Sequence, residues 1–188
     1  MSRWEPNGRG RLAQAALELY VERGYEQTTV AEIAKRAGLT ERTFFRHFAD
    51  KREVLFGGAG ELQDFLVGHL TDAPASATPI DAIAAALEPL GAHFHERREY
   101  ARLRQSVVAA NAELRERELI KFASLASALA EALRERGAGE PAASLAAEAG
   151  VAVFRIAFES WINGSGERDL SQIIRESLAE LKAVVAGA

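Results

Sequence analysis

A cluster of hydrogen-bonding side chains lies within residues 40–46 and is the part of the chain best suited to chemistry. Its members are Thr40, Glu41, Arg42, Thr43 and Arg46. An arginine can pair through its planar guanidinium with O6 and N7 of guanine, and a glutamate can accept from the amino group of cytosine. A contact of this kind discriminates between bases by about 1–3 kcal/mol. Arg42 is therefore the strongest candidate for reading a base edge, whereas Glu41 could read cytosine or only pair with a neighbouring arginine.

A second group of polar side chains is placed to hold phosphate oxygens and comprises Thr29, Thr40, His47 and Lys51. Backbone amides at the start of a helix add partial positive charge, which favours an anion there. Contacts of this kind position a nucleic acid without reading its sequence. Further contacts could come from an N-terminal arm that carries Arg3, Arg9 and Arg11.

These side chains need a short helix to carry them, and the sequence predicts one over about 41–48. A helix of this length can enter a major groove that is about 12 Å wide. Phe44 and Phe48 are four residues apart and share one face, so we expect them to anchor the helix on its neighbours. Phe45 lies outside that pair and is expected to touch DNA by packing on a sugar.

Two helices are predicted before this one. The first spans about Arg9 to Arg23. Thr29 and Glu32 have the spacing of a capping box, which starts a second helix that ends near Gly38. Thr40 can cap the third helix, so about three residues with a glycine among them separate the second helix from the third. This is the spacing of a helix-turn-helix motif.

The run TTVAEIAKRAGLTERTFFRHFADK, residues 28–51, resembles the DNA-binding signature of the tetracycline-repressor (TetR) family. The shared elements are a threonine pair before the second helix, an IA..AG.. run through the turn, an aromatic-rich third helix that ends in HF, and a lysine at the next helix start. The resemblance implies a transcriptional regulator, in the form of a ligand-responsive repressor that binds a palindromic double-stranded operator as a homodimer. The sequence departs from the family at Phe45, where a tyrosine is common, so one phosphate hydrogen bond is lost.

The rest of the chain also has helical periodicity, and the predicted fold is all-α. Residues 1–56 are expected to form a three-helix DNA-binding domain, and residues 57–188 a helical domain for effector binding and dimerisation. Asp50 and Glu53 have capping-box spacing and should start a long helix that is soft near residues 57–60, where three glycines fall. The next helix should start at Thr78 and Pro79 and bend or break at Pro89. Four later helices are predicted at about 92–109, 112–136, 141–163 and 170–185.

Apolar stripes on the last two predicted helices could form either a dimer interface or an intramolecular core. The resemblance implies the interface, which would consist of Val151, Phe154, Phe158, Ile162, Leu170, Ile173, Ile174, Leu178, Leu181 and Val185. It also implies an apolar pocket for an unknown small-molecule effector, with Phe65, His69, Phe94, Tyr100, Leu103, Val107 and Phe122 as candidates. For each of these residues considered individually, the alternative is ordinary packing in the hydrophobic core.

Composition and charge set limits on other functions. The chain has 188 residues, no cysteine and a net charge of −4, yet residues 1–56 carry ten Lys/Arg against eight Asp/Glu. This distribution permits DNA binding without establishing it. No apolar run is long enough to span a bilayer and no signal peptide is recognisable, so a cytoplasmic protein is expected. No metal or cofactor is expected.

The alternatives are a helical interaction protein that has lost DNA binding and, less favoured, a small helical enzyme. The enzyme is less favoured because no EXXH pair or nucleophile-elbow motif occurs.

Overall fold

The computed structural model describes residues 7–187, and these form ten α-helices and a single 3₁₀ turn without a β-strand. The all-α prediction is confirmed. The helices are α1 (Gly8–Arg23), α2 (Val30–Arg36), α3 (Glu41–His47), α4 (Ala59–Thr71), α5 (Pro79–Leu87), α6 (Leu90–Phe94), α7 (Arg98–Ala110), α8 (Ala112–Glu135), α9 (Ala142–Asn163) and α10 (Leu170–Ala186), and the 3₁₀ turn spans Glu53–Phe56.

Threonine caps start both helices of the helix-turn-helix motif. At α2 the capping box is complete: the Glu32 amide donates to Thr29 Oγ1 at 3.3 Å, and the Thr29 amide donates to the Glu32 carboxylate at 2.9 Å. Hydrogen bonds from Thr29 also hold the pKa of Glu32 below its usual range. At α3 the Thr43 amide donates to Thr40 Oγ1 at 3.2 Å. The predicted starts of both helices are therefore confirmed.

The prediction of a long helix that starts at Asp50 is wrong, because the chain makes a 3₁₀ turn before α4 begins. Asp50 Oδ1 accepts from the amides of Arg52 at 2.8 Å and Glu53 at 3.1 Å, which caps that turn. Gly57 and Gly58 then separate the turn from α4, at the position where a soft segment is predicted. The break expected at Pro89 is present between α5 and α6.

The helix predicted over about 92–109 is also divided, since α6 ends at Phe94 and α7 begins at Arg98. Arg98 donates from Nε to the carbonyl oxygen of Trp161 at 2.9 Å and also bonds the carbonyl of Gly164. These are carbonyls at the C-terminal end of α9, which have no partner within their own helix. A contact between residues so far apart in sequence leaves no signal in local periodicity.

The helices belong to two compact units. The first contains Met1–Ala59 and Leu103–Glu118, and the second contains Gly60–Arg102 and Leu119–Ala188. Helices α7 and α8 each contribute residues to both units. The first unit thus includes the three predicted DNA-binding helices and a segment distant in sequence, and a domain boundary near residue 56 remains a proposal.

The core of the first unit fixes α3 against α1 and α2. One side chain of each helix is fully buried: Leu12 from α1, Ile33 from α2 and Phe44 from α3. Tyr20 of α1 donates its hydroxyl to the carbonyl of Lys51 at 2.7 Å, and burial raises the pKa of that hydroxyl far above its usual value. The phenol is therefore a neutral donor that ties α1 to the segment after α3.

The second unit has a larger apolar core built from α4, α5, α6, α8, α9 and α10. Its leucines and isoleucines at 0% exposure are Leu66, Leu70, Ile83, Leu90 and Ile174. None of the helices within residues 7–187 has the length and apolar character to cross a bilayer.

Candidate nucleic-acid interface

Helix α3 has one buried face and one exposed face. Phe44 is fully buried and Phe48, which follows the helix, is 4% exposed, with their ring centroids 5.5 Å apart. Thr40, Glu41, Arg42 and Arg46 are exposed on the other side, and Thr43 is half-buried. The structure therefore brings together the residues predicted to read bases, on a helix that is anchored through its phenylalanines.

The two arginines of α3 are free of intramolecular ion pairs within residues 7–187, as is Glu41. Three other arginines of the first unit, Arg23, Arg36 and Arg52, each bind a carboxylate. A guanidinium without a carboxylate partner can pair with a base edge or a phosphate without first breaking an ion pair. Arg42 and Arg46 are thus the cations of this face that are available to an outside partner.

Phe45 is the large apolar side chain on the exposed face of α3, with 55% of its surface accessible. Its ring meets the buried ring of Phe44 edge to face, with centroids 5.4 Å apart and an interplanar angle of 83°. An arrangement of this kind is favourable by about 0.5–1.5 kcal/mol beyond its burial. The ring of Phe45 is consequently braced from within the unit while its outer side faces solvent.

The predicted phosphate ligands differ in the hydrogen bonds that their side chains already make within the chain. Thr29 is exposed and is engaged in the capping box, and His47 is half-buried with its ring centroid 6.4 Å from that of Phe48. Lys51 Nζ donates to three backbone carbonyls, at 3.0 Å to Tyr25, 3.4 Å to Glu26 and 3.3 Å to Thr28. It also lies 4.3 Å from the centroid of the Tyr25 ring. A phosphate contact by Lys51 would have to replace one of these bonds, because an ammonium has three donors.

The arginines expected on a free arm are instead bound within the first unit. Arg9 donates to the carbonyl of Gly57 and lies over the ring of Phe48, and Arg11 donates to the carbonyl of Ala37. Both residues belong to α1. Arg3 lies outside the described residues.

The expected dimer interface needs a correction, because most of its residues are in the core of one chain. Seven of the ten are between 0% and 7% exposed: Val151, Phe154, Ile162, Leu170, Ile173, Ile174 and Leu178. A side chain that its own chain already covers has no surface left to bury against a partner. Phe158 and Leu181 are half-buried and Val185 is 79% exposed.

A different stripe of α9 is exposed and apolar. Leu145 is 65% exposed and Ile156 is 58% exposed, and Ala149 and Ala152 between them are half-buried. Spacings of four, three and four residues place all four on one helix face. Val184 and Val185, at the end of α10, are 67% and 79% exposed. Sequence inspection missed the α9 stripe because the opposite face, with its bulkier residues, has the stronger apolar pattern.

Four of the expected pocket residues belong to a cluster of aromatic rings in the second unit: Phe65, His69, Phe94 and Phe122. The cluster also contains residues that were not predicted for it: His93, Phe154, Phe158 and Trp161. Tyr100 is half-buried in this unit, whereas Leu103 and Val107 belong to the first unit. The six rings of Phe65, His69, His93, Phe94, Phe122 and Phe158 are only half-buried.

The histidines of this cluster are poor candidates for metal binding. Within residues 7–187 no group of three or more His, Asp or Glu side chains is arranged to hold an ion. His69 Nδ1 is 2.8 Å from the carbonyl oxygen of Phe65, so this nitrogen carries a hydrogen and is already engaged. Burial, and after it the charge of Arg97, lowers the pKa of His93.

Comparison with known proteins finds two family models that match this chain. Residues 12–56 match the family model "Bacterial regulatory proteins, tetR family", and residues 77–186, more than half of the chain, match "MftR C-terminal domain". The putative mycofactocin biosynthesis transcriptional regulator MftR of Mycobacterium tuberculosis is 26% identical over 93% of this chain and 87% of its own. The HTH-type transcriptional regulator TcmR of Streptomyces glaucescens is 40% identical over a shorter stretch. This stretch covers 42% of this chain and 34% of TcmR.

A solved structure has the same fold over nearly the whole chain. It is that of Thermus thermophilus FadR, a TetR-family transcriptional repressor in complex with lauroyl-CoA. The TM-score is 0.58 with 23% identity, over 93% of both chains. At this identity the likeness concerns the fold alone.

Proposed function

Because the chain belongs to the TetR family of DNA-binding transcriptional regulators, we propose that it is a repressor that binds a palindromic operator as a homodimer and releases it when a small molecule binds its second unit. Members of this family are regulators and not enzymes. The observation that carries the proposal is the exposed pair Arg42 and Arg46 on a helix anchored by the buried Phe44.

Helix α3 supplies the base contacts in this proposal. Arg42 pairs with O6 and N7 of guanine through two of its N–H donors, and Glu41 accepts from cytosine at a neighbouring position. Thr43 and Phe45 complete this surface. Arg46 binds phosphate or a base, and Thr29, Thr40 and His47 bind phosphate together with the amides at the starts of α2 and α3. Lys51 joins them by exchanging an internal carbonyl for a phosphate oxygen.

A gel-shift titration with DNA from upstream of the protein's own gene tests the proposal. Arg42→Ala should lose about 1–3 kcal/mol of discrimination at one base pair of each half-site, which is about 5- to 150-fold in Kd. Arg155→Ala is the matched control, because Arg155 is an exposed arginine of α9 in the second unit. Equal affinity of wild type and Arg42→Ala would remove Arg42 from the interface. Failure of the wild type to bind any duplex would favour the alternative, a helical protein that has lost DNA binding.

The homodimer is proposed to form through the exposed stripe of α9 defined by Leu145, Ala149, Ala152 and Ile156. Small residues between two large apolar ones let a second helix approach closely, and burial of both ends supplies apolar area. The exposed valines at the end of α10 extend the same kind of surface. Two copies are needed because two recognition helices about 34–36 Å apart bind successive major grooves.

Ile156→Arg tests this interface. A charge at one end of the stripe should convert the dimer to a monomer in analytical ultracentrifugation, since an unpaired buried charge is costly. The same variant should bind the operator much more weakly. Val21→Arg is the control, because Val21 is 49% exposed on α1. An unchanged sedimentation coefficient for Ile156→Arg would place the interface elsewhere.

The effector is proposed to bind the half-buried rings of the second unit. The cluster offers apolar ring faces from Phe65, Phe94, Phe122 and Phe158, together with the polar imidazole of His69, which is the usual make-up of a small-molecule site. An effector that binds one conformation better than another shifts the equilibrium between them, and this difference in affinity is what releases DNA.

Fluorescence of Trp161 reports on this site, because its ring centroid is 5.6 Å from that of Phe158. In a Trp4→Phe background Trp161 is the remaining tryptophan. Lauroyl-CoA and 1-anilinonaphthalene-8-sulfonate are suitable probes, since each has an apolar part and an anionic group. We expect at least one to change the emission of Trp161 and to lose affinity in Phe94→Ala, whereas Leu119→Ala, an exposed change on α8, should bind as wild type. Unaltered binding in Phe94→Ala would argue against the ring cluster as the effector site.

A further inference from the structure

The structure assigns a second reading function to α3: we propose that Phe45 recognises thymine by packing its ring on the 5-methyl group in the major groove. This inference rests on the proposed function, since it requires α3 to enter the groove. It differs from the sugar contact expected from the sequence, because a sugar contact carries no base information.

The position of Phe45 on α3 supports this inference. Phe45 lies four residues after Glu41 and three after Arg42, and residues at these spacings are neighbours on one helix face. All three side chains are exposed. The ring is therefore next to the two side chains proposed to reach base edges, and a helix that brings those to the floor of the groove brings the ring there as well.

The chemistry of the ring narrows what it can recognise. Phenylalanine has no hydrogen-bond donor or acceptor, so it cannot bind a phosphate oxygen or the polar edge of a base. Thymine is distinguished in the major groove by its methyl group, which apolar side chains contact. Thymine is thus the base whose identity an unsubstituted phenyl ring can detect.

The contact of the Phe45 ring with Phe44 favours binding to a group as small as a methyl. The edge-to-face contact with Phe44 supports the ring from one side, and Phe44 is itself fully buried and packed against Phe48. This support reduces the side-chain freedom that is lost on binding, and preorganisation of this kind favours affinity. A flexible apolar side chain at this position would gain less from a single methyl group.

The experiment uses the full-length protein and modified DNA. Bound sequences are first selected from a pool of random duplexes. Each thymine of the selected site is then replaced in turn by deoxyuridine, which removes the methyl group and leaves the hydrogen-bonding edge intact. Dissociation constants are measured by fluorescence anisotropy at one salt concentration, because affinity for DNA depends steeply on salt.

We expect one thymine in each half-site to respond. Loss of its methyl group should weaken wild-type binding about fourfold per half-site, from the free energy of burying one methyl-sized group. In Phe45→Ala the thymine and deoxyuridine duplexes should bind equally, and in Phe45→Leu a part of the difference should remain. Val21→Ala, an exposed apolar truncation on α1, should behave as wild type.

Two results would overturn the inference while leaving the regulator intact. One is tight binding to the selected duplex with no thymine that responds to demethylation. The other is an equal response in wild type and Phe45→Ala, which would assign the methyl contact to another side chain. If selection recovers no preferred duplex, then the proposed function itself fails and the thymine contact fails with it.

Discussion

Lys51 has a structural role that a phosphate contact does not account for. Its ammonium bonds three carbonyls of residues 25–28, which connect α1 to α2. Arg42 and Arg46 have no such internal bonds in the described part of the chain. At the scale of single residues, the interface therefore combines cations available to DNA with one that also holds the fold together.

We expect Lys51→Met to lower the free energy of unfolding by about 2 kcal/mol, because hydrogen bonds to charged groups contribute about 1.5–3 kcal/mol and the carbonyls would lose their donor. Urea denaturation followed by circular dichroism measures the change. Lys35→Met is the matched control, since Lys35 is exposed on α2. Equal stabilities of the two variants would show that the internal bonds of Lys51 contribute little.

Among the helices, α4 is preceded by two glycines whose surroundings differ. Gly57 and Gly58 separate the 3₁₀ turn from α4. A Cβ at Gly57 would lie 3.0 Å from the Phe48 ring, whereas a Cβ at Gly58 would meet no atom within 4 Å. The two positions therefore differ in the space that they leave for a side chain.

Gly58→Ala should raise the free energy of unfolding by about 0.4–1 kcal/mol, because it restricts the unfolded chain at no steric cost. Gly57→Ala should give no gain, since Phe48 would have to move. Chemical denaturation of both variants and of wild type checks the difference. Destabilisation by Gly58→Ala would show that the backbone there needs glycine.

Local sequence signals predicted the helices well. They failed where contacts between residues far apart in sequence determine the structure. The caps at Thr29 and Thr40 and the break at Pro89 follow from residue type alone. The division between α6 and α7 does not, because it accompanies the bonds of Arg98 to the end of α9. The buried face of α9 was also undecidable, since Val151 and Ile156 lie on different faces and only packing determines that Val151 is covered.

Across the whole molecule, the first unit is assembled from two separate stretches of chain. Arg104 donates from Nε to the carbonyl of Leu55 at 2.7 Å and from Nη1 to Glu118 at 3.0 Å. Both side chains of this ion pair are less than 20% exposed, at 19% and 16%. Arg117 bonds Glu53, and the Arg104 guanidinium lies 4.9 Å from the Phe56 ring centroid. The 3₁₀ turn is therefore fastened by residues of α7 and α8.

Arg104→Met should lower the free energy of unfolding by about 2–4 kcal/mol, because it leaves Glu118 largely buried with its main partner removed. Arg102→Met is the matched control, as its pair with Glu99 is exposed and should contribute little. Thermal and urea unfolding would both detect the loss. Similar stabilities of the two variants would mean that the Arg104 pair gives no more than a surface pair.

The divided origin of the first unit has a consequence for synthesis on the ribosome. The recognition helix is complete once residue 47 has been added, but the ion pairs that fasten the neighbouring turn require Arg104, Arg117 and Glu118. These residues are added more than 50 positions after the end of α3. A nascent chain thus carries the helix proposed to read DNA before it has the residues that fasten the turn next to it.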